Sequence, residues 1–491
     1  MNSRIRRVTP WGWATAALAG AWCAWICWQL LRMHFGLGTY SYDVGLYDQG
    51  LWLLSRFEEP FVTLMGRNLF GDHTSLILLP LVPLYWVAPG TGTLLVVQSM
   101  VVAAGSAPVY LFARRVLGSG ALAFGIVFAW LAHPAVTGAA LENFHPDTFH
   151  ALAVPLAIWA ASERRWRAYA VGITMALLIK EDAFLVVVPI GIWVASAIDK
   201  RKGLVTMLAG LVAPIVAMYA VMQPLTGVPT RNSWRIPFGG VGGFVRTMFT
   251  DPVAVADHLL DADRMLYLWQ MASPLLGVFL FSAGLAAVAV PVIALNVVST
   301  YWYQHNVDYH YSIVVVPILV MAVAAGAARF DSRRRGTMVT LVAAASMAAS
   351  VAWSPHSLGV SPTMVTPPDN AVVVAGRAIL REVPAGAVVS LYDPLVPHAA
   401  HRREVYFFPN PFRAHLYGVD GSLDGSRLGA ADHVSHVLLP KAMSPDLTAL
   451  WELERPDFER NIENEFWILW GRRGSTGGVG QTPVDPVESV D

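Results

Sequence analysis

The sequence predicts a mainly α protein: a polytopic transmembrane helical bundle with a small extracytoplasmic α/β domain at its C-terminal end. Three observations carry that prediction. The 491-residue chain is 55% hydrophobic and only 14% charged, whereas soluble domains carry about 25% charge. Apolar runs approaching the ~20 residues that cross a bilayer recur along residues 1–355. After Pro355 the runs give way to turn signals at Pro367-Pro368, Pro384, Gly386, Asp420-Gly421 and Asp424-Gly425.

The chain opens on Arg4, Arg6 and Arg7, then runs apolar from Trp11 to Leu31. The stretch is long for a signal peptide and lacks a small-x-small cleavage pattern, so it reads as a retained anchor with a cytoplasmic N-terminus. Cys23 and Cys27 fall four apart on one face of that helix, as small apolar fillers. Membrane-embedded segments are predicted at 11–33, 75–89, 92–113, 119–141, 148–162, 168–180, 183–198, 203–224, 272–298, 309–329 and 336–354. Segment 75–89, with Pro80 and Pro83, is too short to cross and reads as re-entrant or interfacial. Segment 272–298 must turn back on itself if both its flanks lie outside, and Pro291 offers a break.

Basic groups fix the sides. Arg114/Arg115, Arg164/Arg165/Arg167, Lys200/Arg201/Lys202 and Arg333/Arg334/Arg335 are expected in the cytoplasm of a multi-pass plasma-membrane protein. The first outer loop is then 34–74 and a second large outer loop is 225–271, with 142–147 and 299–308 on the same side. Within 356–473, strands are expected at Ala387–Leu391, His436–Leu439 and Phe466–Trp470, with a helix over Asn370–Arg381. The tail 474–491 is rich in Gly, Pro and acid and is expected to be disordered.

Four polar clusters fall at the outer ends of apolar runs, where charges need a reason. The first holds Asp43, Asp48, Arg67, Asn68, Asp72 and His73, and 44–54 within it could form an amphipathic interfacial helix. Asp43, just beyond the first span, is placed to act as a base; loop capping is the plainer account. The second is Glu142-Asn143-Phe144-His145-Pro146-Asp147, where Pro146 stiffens the turn and Asp147 could simply cap the next helix. The third, Lys180-Glu181-Asp182, could hold a phosphate on Lys180 or fasten two short helices as an internal ion pair. The fourth joins His305, Asp308, His310 and Tyr311, with Tyr301 and Tyr303 nearby; the aromatics also suit an interfacial belt. Arg231 and Arg235 lie in the outer loop, against the positive-inside trend, where an anionic lipid head group would justify them. A divalent cation such as Mg, Mn or Ca could use Asp72, His73, His145 and Asp147; no other cofactor is called for. Zero net charge gives no reason to expect a nucleic-acid partner.

The segments Tyr42-Asp43-Val44-Gly45-Leu46-Tyr47-Asp48-Gln49, Gly71-Asp72-His73-Thr74-Ser75, Phe144-His145-Pro146-Asp147, Lys180-Glu181-Asp182, His310-Tyr311-Ser312 and His401-Arg402-Arg403-Glu404-Val405-Tyr406 resemble those of a large bacterial family of membrane proteins, over roughly residues 37–440. That family is in turn similar to the GT-C superfamily of membrane glycosyltransferases. The resemblance implies a bundle of GT-C type, a polyprenyl-phosphate sugar as donor, and an outer-side active site with an acid in the first outer loop, here Asp43. Lys180-Glu181-Asp182 has no fixed counterpart in those transferases.

The expected function is therefore inverting transfer of a sugar from a polyprenyl-phosphate donor to an envelope glycan or lipid. Asp43 would be the base. Lys180, His310, Arg231 and Arg235 would hold the donor phosphate. Asp48, Asp72, His73, His145, Asp147, Glu181 and Asp182 would position sugar or acceptor. Two rivals stand beside it: a transporter or lipid flippase, which needs a polar site near midplane, and a non-catalytic envelope assembly protein, whose charges would pair internally.

Overall fold

The computed structural model describes residues 9–474; Arg4, Arg6, Arg7 and residues 475–491 of the tail lie outside the described residues. Within these, six helices are long and apolar enough to cross a membrane: Pro10–Phe35, Thr91–Leu117, Lys200–Thr226, Val278–Val298, His310–Ala327 and Ser332–Trp353. A seventh span exists if Gly120–Ala132 and Pro134–Leu141, bent by 51° at His133, are taken together. Pro134 explains the bend, since it has no N–H to continue the ladder and holds His133 extended.

Burial sorts these helices. The His310–Ala327 window is 89% buried, so this helix is the axis of the bundle, whereas Lys200–Thr226 is 11% buried despite its apolar sequence. A long apolar helix with so little protein against it faces lipid. Shorter helices at Leu76–Tyr85 and Trp166–Ile179 do not reach across. The expected break in 272–298 lies earlier than Pro291. Leu276 and Gly277 both have positive φ and separate Ser273–Leu275 from Val278–Val298, whereas Pro291 begins an α turn inside one continuous run. Pro at the first turn of a helix loses no bond that was needed.

The four basic loops share one end of the molecule. Arg115 Nη1 pairs with Glu163 at 2.9 Å, Arg164 Nη2 donates to the Ile198 carbonyl at 3.2 Å, and Arg335 Nη1 donates to the Leu117 carbonyl at 3.0 Å. The N-terminal end of Pro10–Phe35 lies there too, with the Thr9 and Tyr110 hydroxyls 3.3 Å apart. The acid and histidine clusters occupy the opposite end.

The small C-terminal domain sits on that opposite end. After a two-residue hairpin in the first loop (β1, Phe61–Val62; β2, Arg67–Asn68), the remaining strands belong to it: β3 (Val389–Leu391), β4 (Val405–Phe407), β5 (His436–Pro440), β6 (Phe458–Glu463) and β7 (Trp467–Arg472). The sheet order is β4-β3-β5-β7-β6, with β3 parallel to β4 and β5 and the β5-β7-β6 pairs antiparallel. All three expected strands are present; β4 and β6 were not anticipated. Alternate residues face opposite ways. Val389, Leu391, Leu438 and Leu469 join the core that runs into the bundle. Val437, Leu439 and Trp470 join a separate core with Tyr406, Phe408, Phe412, Trp451 and Phe458.

The sheet thus covers the first outer loop, and this corrects one expectation. Helix Leu46–Ser55 is not an interfacial helix: Leu46, Tyr47, Asp48, Gln49, Leu51 and Leu53 are all buried. Gln49 Nε2 donates to the carbonyls of Arg402 and Arg403, both at 3.2 Å, and Thr63 Oγ1 donates to Val405 O at 2.8 Å.

Candidate active site

Asp43 sits at an irregularity that its sequence neighbours create. The backbone bulges within Ser41–Gly45: Tyr42 is extended at φ −67° and ψ 142°, and Asp43 has φ 76° and ψ −104°, outside the regions non-glycine residues favour. Such a conformation persists only when surroundings hold it. Here the Ser41 N–H donates to Asp393 Oδ1 of the C-terminal domain at 2.8 Å, and Tyr42 Oη donates to the Leu416 carbonyl. The bulge aims Asp43 at His145, with Oδ1 3.2 Å from His145 Nε2. Its side chain remains 41% exposed, so the carboxylate stays accessible.

His145 is fixed from below by Gln98, an amide buried in Thr91–Leu117. Gln98 Oε1 accepts the His145 N–H at 2.9 Å, while its Nε2 donates to Ala140 O at 3.2 Å and Glu142 O at 3.1 Å. The His145 ring stacks on His310 with centroids 3.8 Å apart and planes 20° apart. Glu142 Oε2 accepts the His310 N–H at 2.7 Å and lies 3.0 Å from its Nδ1. Asp147 Oδ2 is 4.0 Å from His310 Nε2, and Asp147 Oδ1 is 3.6 Å from Lys180 Nζ. Contacts therefore run without a gap from Asp43 through His145, His310 and Asp147 to Lys180. Four stretches of chain meet at one end of the bundle.

Electrostatics follow from this packing. Burial disfavours the charged His145 ring, but Glu142 and Asp43 outweigh it and lift its pKa to about 9. Burial would raise the Asp43 carboxyl, and the His145 charge instead holds it below the usual carboxylate range. At neutral pH the pair is an imidazolium and a carboxylate. Asp182 behaves differently: burial dominates over nearby Lys180 and raises it to about 6. Asp147, His150, Asp182, Asn296, Gln304 and His310 line a cavity of about 40 Å³, large enough for one or two waters.

The remaining expected residues divide. Glu181 lies 2.8 Å from His73 Nδ1 and accepts the Thr74 N–H at 3.3 Å, fastening the first loop to the short-helix junction. Asp72 sits between two guanidiniums, 2.7 Å from Arg67 Nη2 and 2.8 Å from Arg231 Nη1. Arg235 lies over the Tyr301 ring at 4.3 Å and near Tyr311 at 5.9 Å; Lys180 is 5.8 Å from that same Tyr311 ring. Asp48 is elsewhere. It is buried, accepting from Tyr85 Oη at 2.8 Å and Thr91 Oγ1 at 3.0 Å, with His401 Nε2 at 3.0 Å, and ties the sheet domain to the bundle. Asp147 does not cap the next helix: His145 takes the cap position and Asp147 turns inward.

Glu142, His145 and His310 offer ligand atoms within 4.8 Å of one another and could hold a divalent cation. Of the four expected metal ligands only His145 belongs to this group. Asp72 and His73 are engaged by arginine and Glu181, and Asp147 by Lys180. His145 Nδ1 lies 2.8 Å from the Asn143 carbonyl, which can only accept, so this nitrogen carries a proton that an ion would displace. Glu142 and Gln98 join the site without having been among its expected residues. A lone amide inside an apolar helix was the available signal.

Solved structures share this fold. ArnT from Cupriavidus metallidurans, in a crystal structure bound to undecaprenyl phosphate, superposes with a TM-score of 0.59 at 12% identity, covering 96% of this chain and 100% of that one. The same protein in its apo state gives 0.55 at 13% identity, covering 94% and 97%. No curated protein matches by sequence. The family described as "Predicted membrane protein (DUF2079)" matches residues 33–453, and the chain belongs to it.

Proposed function

We propose that this protein is a membrane glycosyltransferase that moves a sugar from a polyprenyl-phosphate donor to an envelope glycan or lipid on the outer side of the membrane. The observation that carries this reading is the continuous contact chain from Asp43 to Lys180 at the end of the bundle away from the basic loops. The fold shared with ArnT, whose crystal structure holds undecaprenyl phosphate, supports the donor class.

The acceptor hydroxyl attacks the anomeric carbon and Asp43 takes its proton as the new C–O bond forms. The bond from that carbon to the phosphate oxygen breaks on the opposite face, so configuration inverts. The electron pair leaves with the polyprenyl phosphate. A carboxylate kept ionised by His145 is ready to accept the proton, and its low basicity makes transfer late, once the acceptor oxygen has turned acidic. Lys180, Arg235 and the His145 imidazolium face the growing phosphate charge from a water-poor site, where fixed charges act strongly. Arg231 and His310 hold their positions through Asp72 and Glu142. A cation at Glu142, His145 and His310 would add positive charge beside the same phosphate; imidazole donors suit a transition ion better than Ca or Mg.

A carrier would need its polar site near midplane with access from both faces, whereas these charges gather at one end. A purely structural ion pair would need no accessible carboxylate, and the Asp43 side chain, although paired with His145, is 41% exposed. Incubating the full chain in proteoliposomes with a panel of labelled prenyl-linked sugars tests the proposal. Wild type should transfer one of them, and Asp43→Asn should lose at least about 100-fold while folding normally. Full transfer by a folded Asp43→Asn protein would remove Asp43 as the base.

A further inference from the structure

A second feature lies away from the Asp43–Lys180 contact chain, where the first helix meets the linker into the C-terminal domain. Trp28, Leu31, Arg32 and Phe35 form one wall of an open groove of about 500 Å³, and Pro367, Pro368 and Asp369 form the other. The groove is built rather than incidental. The linker lies directly on the helix end: a Cβ on Gly36 would come within 2.0 Å of the Thr366 carbonyl. The Ser357 N–H also donates to Gln29 Oε1 at 2.8 Å. Two successive prolines stiffen the far wall.

Its depth follows from helix geometry. Arg32 is 22 residues beyond Pro10, about 33 Å along the axis at 1.5 Å per residue. A hydrocarbon core is ~30 Å thick, so Arg32 falls at head-group level. The apolar window of this helix is only 28% buried, so an acyl chain could lie along its flank below the groove.

The charges select the occupant. Arg32 lies over the Trp28 ring at 5.6 Å. Among the described residues, neither Arg32 nor Asp369 forms an ion pair with a protein group, with each other or with any neighbour. Arg377 stands over the Phe35 ring at 5.4 Å but does not line the groove. One unpaired cation and one unpaired anion therefore share a groove at the membrane boundary. An anionic head group would satisfy Arg32 but oppose Asp369, and a quaternary ammonium could not hydrogen-bond to that carboxylate. We propose that the groove seats the head group of an aminophospholipid of the phosphatidylethanolamine class, with phosphate on Arg32 and the primary ammonium on Asp369.

The experiment reads bound lipid, not transfer, and so is independent of the proposed activity. Full-length protein is equilibrated with equal amounts of phosphatidylethanolamine, phosphatidylglycerol and phosphatidylcholine of matched acyl chains, and retained lipid is counted by native mass spectrometry. Wild type should retain phosphatidylethanolamine about tenfold over the other two. Asp369→Asn should abolish that preference and raise phosphatidylglycerol; Arg32→Gln should lower retention of all three. Thermal unfolding midpoints control for folding. Equal retention of the three by wild type, a wild-type preference for phosphatidylglycerol, or a preference unchanged in both variants would overturn the assignment.

Discussion

At the scale of single residues, the site depends on one ion pair held in place by neighbours far apart in sequence. The His145 ring titrates near 9 in the folded protein, against about 6.5 in an unfolded chain. Its raised value means that the stabilisation from Asp43 and Glu142 is complete below about pH 6.5 and is lost as pH rises through about 9. The proposed transfer, in which ionised Asp43 would act beside charged His145, should therefore fall on the alkaline side near pH 9. His145→Gln should be slower and lack that limb, as a pH–rate profile would show. An unchanged alkaline limb in His145→Gln would assign the titration to another group. Asp43 and His145 were legible in the sequence because charges beside apolar runs are costly. Their pairing was not, because 101 residues of chain separate them and only the backbone bulge at Tyr42-Asp43 aims one at the other. Asp48 misled for a related reason. An acid in the same loop, five residues on, faces the opposite way and is satisfied by Tyr85, Thr91 and His401.

At the scale of elements, Thr91–Leu117 both crosses the bundle and supports the 142–147 turn through Gln98. Replacing Gln98 with Ala leaves the His145 N–H and two carbonyls without their buried partner. That should cost roughly 1–3 kcal/mol in stability, and it should lower the transfer rate more than it alters donor affinity. Thermal unfolding and steady-state kinetics would separate the two effects; unchanged values for both would deny Gln98 a positioning role. Helix existence was readable from apolar run length, and most boundaries lie within a few residues of expectation. Breaks were harder to place. Pro291 looked disruptive but opens a helical turn, whereas the actual break uses positive φ at Leu276-Gly277, two residues beyond Pro274. Strand β4, Val405–Phe407, is short and wholly buried, so it carries no apolar–polar alternation to mark it.

At the scale of the whole molecule, the sheet domain is a roof whose inner face belongs to the bundle's core. Its Asp393, Leu416 and Gly418 hold the first outer loop in place. The basic loops gathered at the far end are expected to face the cytoplasm, and labelling can test it. In a chain with Cys23 and Cys27 replaced by Ala, Arg201→Cys should react with a membrane-impermeant thiol reagent only from the cytoplasmic side. Ser422→Cys should react only from outside. Labelling of both from one side would reverse or abolish the assigned topology. In the proposed reaction a polyprenyl phosphate seats beside Lys180, Tyr311 and Arg235. The most direct measurement is cross-linking of the full chain with a photoreactive polyprenyl phosphate, followed by peptide mapping. The account predicts adducts near Lys180, Arg235 and Tyr311 that fall about tenfold in a Lys180→Gln, Arg235→Gln double variant. Adducts spread along the lipid-facing helix Lys200–Thr226 and indifferent to those substitutions would contradict it.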